Sequence, residues 1–489
     1  MFRVVFGLIS ASFLAGCASA PAPHIAGGNE PSRATNTVSP ENQRSSALTA
    51  ARTDPAPAAD GPRQTGPWIG AAPASELILR GKNDTLLGVW IDVPEGPATA
   101  RAKTAVTLVV DTSGSMAGPK IEHARAAARR MMDSLSDGDV VAVEAFSDTS
   151  ISRVMPTLLD ASSRRWIGAS IDELGASGGT NLFEGLRMGE LRAASAPASH
   201  AVRRVVVISD GVATVGPTST ELLGEMAERG ADHGIQVTAI GVGLDYDERA
   251  LNALAVRSSG RMHHIASPDD MTRVLAEETR LFAGTRATDA FVEIVPAPGV
   301  TLMSVPGVRA VPLAGGALRV PLGAMFGGQH REMLVRASIS DTATPGAHPL
   351  ASVRLHFRDP SDGGIERVQE VVARYEMTDD ATAVASRENA RTRSIAAVQE
   401  AAQIAIAAAQ DVNRGDFKAA DAALAQAEAR LATAASSVRD ESEKKRVLAA
   451  AQTMTKARRS AAAASAAPAP ARRALSLDIN SDAMHEAGF

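Results

Sequence analysis

The chain of 489 residues contains a single cysteine, few aromatic side chains and no excess of basic charge. Cys17 stands alone, so no internal disulfide can form even in an oxidising compartment. Aromatic residues make up 3% of the chain, too few for base-stacking platforms or an aromatic-lined sugar cleft. Fifty Lys and Arg against 55 Asp and Glu give a formal charge of -5, which provides no electrostatic footprint for nucleic acid. There is no P-loop, no HExxH and no nucleophile elbow with a Ser-His-Asp order, so the sequence reads as a non-enzyme without a small-molecule substrate. With 45% apolar and 21% charged residues it has an ordinary globular composition. That excludes a wholly disordered chain, a collagen and a polytopic membrane protein.

The first residues read as a secretion signal. Arg3 supplies the positive end, and Val4 to Phe13 is an apolar run of about ten residues, short of the roughly 20 that span a bilayer. Leu14-Ala15-Gly16-Cys17 follows and resembles the lipobox of bacterial lipoproteins. The resemblance implies that residues 1–16 are removed and that Cys17 is lipidated. It also implies two or three acyl chains, which anchor stably where one holds only marginally. Ala18, where Asp would retain such a protein in the inner membrane, points to a lipid-anchored protein of the cell envelope, at the outer membrane.

Residues 17–73 are rich in Ala, Pro, Ser, Thr and Gly without apolar periodicity, as expected of a disordered tether. Such a tether reaches on the order of 40 Å. Residues 74–103 hold two strand-like runs, Leu77 to Leu79 and Leu86 to Val93, with Asn83-Asp84 as the turn between them. From 104 to 287 the pattern alternates. Apolar runs at Thr104 to Val110, Val140 to Val143, Val205 to Ile208 and Ile235 to Ile240 suit strands buried on both faces. Helical periods lie between them at Lys120 to Leu135, Asp160 to Leu174, Leu182 to Ala194, Ser219 to His233 and Asp247 to Ser258. Arg261 to Ile265 reads as a last strand, before a helix from Pro268 to Phe282. The fold class is therefore α/β, a doubly wound and mostly parallel sheet. Residues 288–378 change to a period of two, as in an antiparallel β-sandwich, which the strands before Thr104 complete. Residues 379–460 form a helical hairpin or bundle. Residues 461–489 are a low-complexity tail that is expected to be flexible.

The first apolar strand runs into Asp111-Thr112-Ser113-Gly114-Ser115. Side chains at the carboxyl end of a parallel sheet face the usual ligand crevice. A carboxylate and two hydroxyls on one turn are hard oxygen donors, suited to Mg²⁺ or Mn²⁺ rather than zinc. Gly178-Gly179-Thr180-Asn181 opens a helix, and a later strand ends in Ser209-Asp210-Gly211. Five oxygens from three separated loops can thus converge on one cation. The three segments, in this order and context, resemble the metal-ion-dependent adhesion site of the von Willebrand factor type A domain. The likeness extends to Gly241 to Glu248 and covers about Thr104 to Gly284. It implies that Ser113 and Ser115 ligate through hydroxyls and that Thr180 ligates directly or by way of water. Asp111 and Asp210 would act mainly through water, leaving one position for a partner's carboxylate.

Other residues read differently. His263-His264 reads as a satisfied edge-strand pair, and Glu144 and Asp148 as solvated charges. An aspartyl-phosphate phosphatase would need a second Asp where Ser113 stands. Two functions follow. The first is a membrane-anchored binding protein that captures an acidic residue of a protein partner through Mg²⁺. The second is an assembly scaffold whose metal only stabilises loops while the sandwich or helical tail binds the partner.

Overall fold

The computed structural model describes residues 68–95, 101–210, 212–265, 284–304, 309–340, 346–360 and 364–488, with Val274, Glu277, Glu278 and Leu281. The signal segment, Cys17 and most of the helix expected from Pro268 to Phe282 lie outside them. Among the described residues no helix is long and apolar enough to cross a membrane.

The α/β region is built on one sheet in the order β6-β5-β4-β7-β8-β9. These strands are β4 (Thr104–Asp111), β5 (Val140–Phe146), β6 (Ser150–Leu158), β7 (Val202–Ser209), β8 (Ile235–Val242) and β9 (Arg261–Ile265). All neighbours pair in parallel except β6, which runs antiparallel to β5 at one edge. Every residue of β4, β5 and β8 is buried, because helices cover both faces. Val106, Leu108 and Val110 face α1 (Pro119–Ser134) and α2 (Ala161–Asp172) through Ile121, Met131, Ile167 and Ile171. Val109 joins Val205 and Val207 on the opposite face. There they meet α3 (Leu182–Ala194), α4 (Thr220–Asp232) and α5 (Glu248–Arg257). Strand β6 has no counterpart among the runs expected from sequence. Its outward Ile151, Arg153 and Met155 and its internal Pro156 suit an edge, where a missing N–H is tolerated.

The sandwich has two sheets. The smaller, in the order β1-β3-β14-β11, contains β1 (Ile69–Pro73), β3 (Asp84–Asp92), β11 (Val300–Ser304) and β14 (His330–Ile339). The larger, in the order β12-β13-β10-β15-β16-β2, contains β2 (Leu77–Leu79), β10 (Thr285–Pro296), β12 (Val311–Pro312), β13 (Leu318–Phe326), β15 (Gly346–Arg358) and β16 (Glu366–Thr378). Leu87, Val89 and Ile91 pack with Val292, Ile294, Val335, Val353 and Leu355. The α/β region is therefore inserted between two parts of one sandwich. Two details depart from the sequence reading. β1 begins inside the span assigned to the tether. β2 and β3 form no hairpin around Asn83-Asp84, because β2 pairs in parallel with β16 while β3 lies between β1 and β14.

Five helices follow: α6 (Ala381–Ser386), α7 (Ala390–Arg414), α8 (Phe417–Ser437), α9 (Glu441–Ala466) and α10 (Ala469–Glu486). Gly415, at φ 85°, ends α7 in the left-handed conformation, and the Asp416 side chain caps α8 by accepting from the Ala419 N–H. Alanines 401, 405, 409, 420, 427, 450 and 457 form the seam between α7, α8 and α9 with Leu424, Leu431 and Met454. The expected flexible tail is instead ordered helix. Its Ala/Pro stretch is only the joint between α9 and α10, with Pro468 in the N-cap position. Beyond it, Leu477 and Met484 of α10 enter the core of the α/β region beside Tyr246, Leu251 and Met262.

Candidate metal site

β4 and β7 are neighbours in register, Val110 opposite Ile208, so Asp111 and Ser209 emerge side by side at the carboxyl ends of the sheet. The chain leaves β4 toward β5 on one side and β7 lies on the other, which makes this a switch point of the sheet. Asp111 is fully buried. One carboxylate oxygen accepts the Ser113 N–H at 2.8 Å and the other accepts the Ser209 hydroxyl at 2.5 Å. Burial pushes the Asp111 carboxyl above its ordinary value; the Ser209 and Ser113 hydrogen bonds oppose this, and the charge of Asp210 adds to it.

The two serine hydroxyls lie 3.0 Å apart, and Ser115 donates to Asp210 Oδ1 at 2.8 Å. The other oxygen of Asp210 forms an ion pair with Lys120, on the first turn of α1. The loop before α3 is tied to the same turn. Gly114 N–H donates to the Gly178 carbonyl at 2.9 Å, and Ser177 N–H to the Thr112 carbonyl at 2.7 Å. Gly178 takes φ +81°, and a Cβ there would lie 2.4 Å from an Asp148 oxygen. Asp148 accepts the Gly179 N–H at 3.0 Å and so shapes the loop, although its side chain is exposed. Thr180 is buried. Its N–H donates to the Thr214 hydroxyl at 2.9 Å and its carbonyl accepts from Thr214 and Val215.

The structure thus links Asp111, Ser113, Ser115 and Asp210 into one hydrogen-bonded cluster. Among the described residues, the Thr180 hydroxyl makes none of the bonds that join these four. The donor set fits a hard divalent cation. An octahedron with oxygens about 2.1 Å from Mg²⁺ has neighbouring donors about 3 Å apart. The Ser113 and Ser115 hydroxyls have that spacing, at 3.0 Å, and Asp210 orients Ser115 by accepting its hydrogen bond at 2.8 Å. Two carboxylates against one ammonium also leave the cluster with formal negative charge.

Sequence reasoning gave no role at the site to Lys120, to Ser209 or to Asp148, which it read as a solvated charge. Ser209 was legible as the hydroxyl preceding Asp210. Lys120 carried no motif, since its contact spans 90 residues of chain. Glu144, read as solvated, is fully buried. It accepts from Arg192 Nε at 2.8 Å and from Ser152 Oγ at 2.5 Å, and it joins β5, β6 and α3. His263 lies on the edge strand β9 and pairs with Glu278 at 3.1 Å.

Residues 105–277 match the family model of the von Willebrand factor type A domain. The chain therefore carries a domain of that class, within a larger architecture. A solved structure described as von Willebrand factor type A from Catenulispora acidiphila has the same fold, with a TM-score of 0.65 at 20% identity over 80% of this chain and 90% of that one. The uncharacterized protein sll0103 of Synechocystis sp. is 27% identical over 266 residues, 52% of this chain and 62% of the relative. The E3 ubiquitin-protein ligase WAV3 of Arabidopsis thaliana is 24% identical over 275 residues, 56% of this chain and 35% of that protein. The chain thus spans between about a third and two thirds of these relatives. A domain of this class suggests a role in protein binding or adhesion.

Proposed function

We propose that this protein is a lipid-anchored component of the bacterial cell envelope, at the outer membrane, that captures a protein partner through a divalent cation, Mg²⁺ or Mn²⁺. Ser113 and Ser115 would hold the cation through their hydroxyls. Asp111 and Asp210 would orient those hydroxyls and any bound water, and Thr180 would complete the set. The bound cation would supply a Lewis-acidic position for an Asp or Glu of the partner. The observation that carries this reading is the pair of Ser113 and Ser115 hydroxyls, 3.0 Å apart at the carboxyl end of the sheet, with Asp210 bonded to Ser115 at 2.8 Å.

The chain's own residues set the chemistry. Asp111 is spent on Ser113 N–H and Ser209, so its charge is delivered through hydrogen bonds rather than by direct ligation. That arrangement leaves a bound cation electrophilic. Ser115 is exposed while Ser113 is buried, so the cluster opens to solvent on one side, where a partner can approach. We read the protein as a binding module and not an enzyme. The ligase activity in the name of the WAV3 relative belongs to a protein of which this chain covers 35%.

Titration calorimetry with Mg²⁺ tests the site. The wild type should bind, and Ser113→Ala and Ser115→Ala should lose binding while remaining folded by circular dichroism. Capture of a partner from membrane extract should be abolished by chelator and restored by Mg²⁺. Thr180→Ala should weaken partner capture more than metal binding. Wild-type Mg²⁺ affinity in Ser113→Ala would refute the proposal.

A further inference from the structure

Lys120 is placed between two carboxylates. Its ammonium forms an ion pair with Asp210 Oδ2 and lies 3.8 Å from Asp245 Oδ2. Asp210 is completely buried at its side chain, whereas that of Asp245 is 82% exposed. The lysine stem passes over Gly243, at φ +79°, where a Cβ would lie 3.2 Å from Lys120 Cε. The glycine therefore provides both the backbone conformation and the space that bring the ammonium to this point. The two stations are unequal. Asp210 also accepts from Ser115, so the carboxylate that holds Lys120 is part of the metal cluster.

The loop that carries Asp245 is held in place from outside the α/β region. Arg473 of α10 donates from Nε to the Leu244 carbonyl at 2.9 Å and from Nη2 to the Tyr246 carbonyl at 2.7 Å. Its remaining nitrogen pairs with Glu248, which begins α5. The carbonyls on both sides of Asp245 are thus clamped, which keeps the backbone of this second station within reach of Lys120.

We infer that Lys120 is a tethered counter-cation of the metal site, which neutralises Asp210 while the site is empty and moves to Asp245 when a divalent cation enters. This rests on the metal site proposed above. The physical reason is like-charge repulsion. A doubly charged ion held by the Ser113 and Ser115 hydroxyls and an ammonium paired with Asp210, which Ser115 contacts, stand about 6 Å apart. At that distance their repulsion weakens binding by about tenfold even with the dielectric constant of water. Transfer to Asp245 relieves part of that penalty. The affinity of the site is therefore set by a residue that is not a ligand, and Asp245, whose loop the C-terminal helix fixes, tunes it.

A double-mutant cycle on the full chain, read by calorimetric titration with Mg²⁺ alone, tests this. Lys120→Met should bind Mg²⁺ about threefold more tightly, because transfer to Asp245 has already relieved part of the roughly tenfold penalty in the wild type, with Lys120→Gln as a second version in case the first folds poorly. Asp245→Asn should bind several-fold more weakly, because Lys120 then has only Asp210. In the Lys120→Met background, Asp245→Asn should have almost no effect. Unchanged or weaker binding by both Lys120 variants would overturn the inference. Persistence of the full Asp245→Asn loss in the Lys120→Met background would overturn it too, since Asp245 would then act only as a distant negative charge. Ser113→Ala, titrated alongside, separates the two claims. If it abolishes binding and the Lys120 variants change nothing, the site stands and the counter-cation fails. If it binds like wild type, the site itself fails.

Discussion

Leu477→Ala tests whether the C-terminal helix is an integral part of the fold. Leu477 lies on α10 and is fully buried, in a core shared with Tyr246, Leu251 and Met262 of the α/β region. The helix also packs along α7 and α9. Truncation removes three carbon atoms. At about 0.8 kcal/mol for each buried methylene the transfer loss is about 2.4 kcal/mol. The cavity left between rigid helices and sheet raises this to about 3–4 kcal/mol. Equilibrium urea denaturation is a suitable assay. With a slope of about 3 kcal/mol per molar, the midpoint of the transition that includes the α/β region should fall by about 1 M. Leu448→Ala is the control. That side chain is 44% exposed on α9, and its loss should cost no more than about 0.5 kcal/mol. A Leu477→Ala protein within about 0.5 kcal/mol of wild type would refute the reasoning, because a leucine without a packed environment has nothing to lose.

Other expectations follow from charge and burial. Glu278→Ala should cost about 3–5 kcal/mol in denaturant melts, because it leaves the buried Arg204 guanidinium without the carboxylate that faces it at 3.0 Å. Burial alone would raise the Glu278 carboxyl, but Arg204 and His263 outweigh it and hold the group at about 2. The stabilisation it gives is complete above the ordinary carboxylate value and is lost as pH falls toward 2, so acid melts of wild type and variant should converge. Glu190 behaves in the opposite sense. Burial between α3 and Gly230 of α4 raises its carboxyl to about 8, against the opposing charge of Arg229. The folded state therefore holds a proton that the unfolded chain has released, and stability should decline as pH rises from 4.5 to 8. Glu190→Gln should remove that decline and gain several kcal/mol at pH 9, measured by urea melts across the range; an unchanged slope would count against the assignment. Cys17→Ser should yield exported protein that no longer partitions with membranes, and unchanged partition of a cleaved product would contradict lipid anchoring.

The α/β alternation was legible in the residues themselves. A parallel strand covered on both faces is mostly apolar, so β4, β5, β7 and β8 stand out through apolar stretches such as Val205 to Ile208, interrupted only by buried polar groups that have partners, such as Glu144 and Arg204. The candidate ligands were legible for a related reason. Ligands in such sheets bind where strands end, and Asp111, Ser113, Ser115 and Asp210 directly follow two of those runs. The change of period after Thr288 likewise announced the sandwich. Tertiary structure alone decided the rest. Edge strand β6 has no buried face on its outer side and so no strong period to read. β2 is three residues long, and its pairing with β16 joins positions some 300 residues apart, a contact for which local sequence carries no signal. The helix after Pro468 looked like low-complexity tail because its alanines matter only where other helices approach closely enough to use them. Lys120 meets Asp210 across 90 residues, and only the packing of α1 against the sheet determines that its ammonium lies beside the Asp111–Asp210 cluster rather than in solvent.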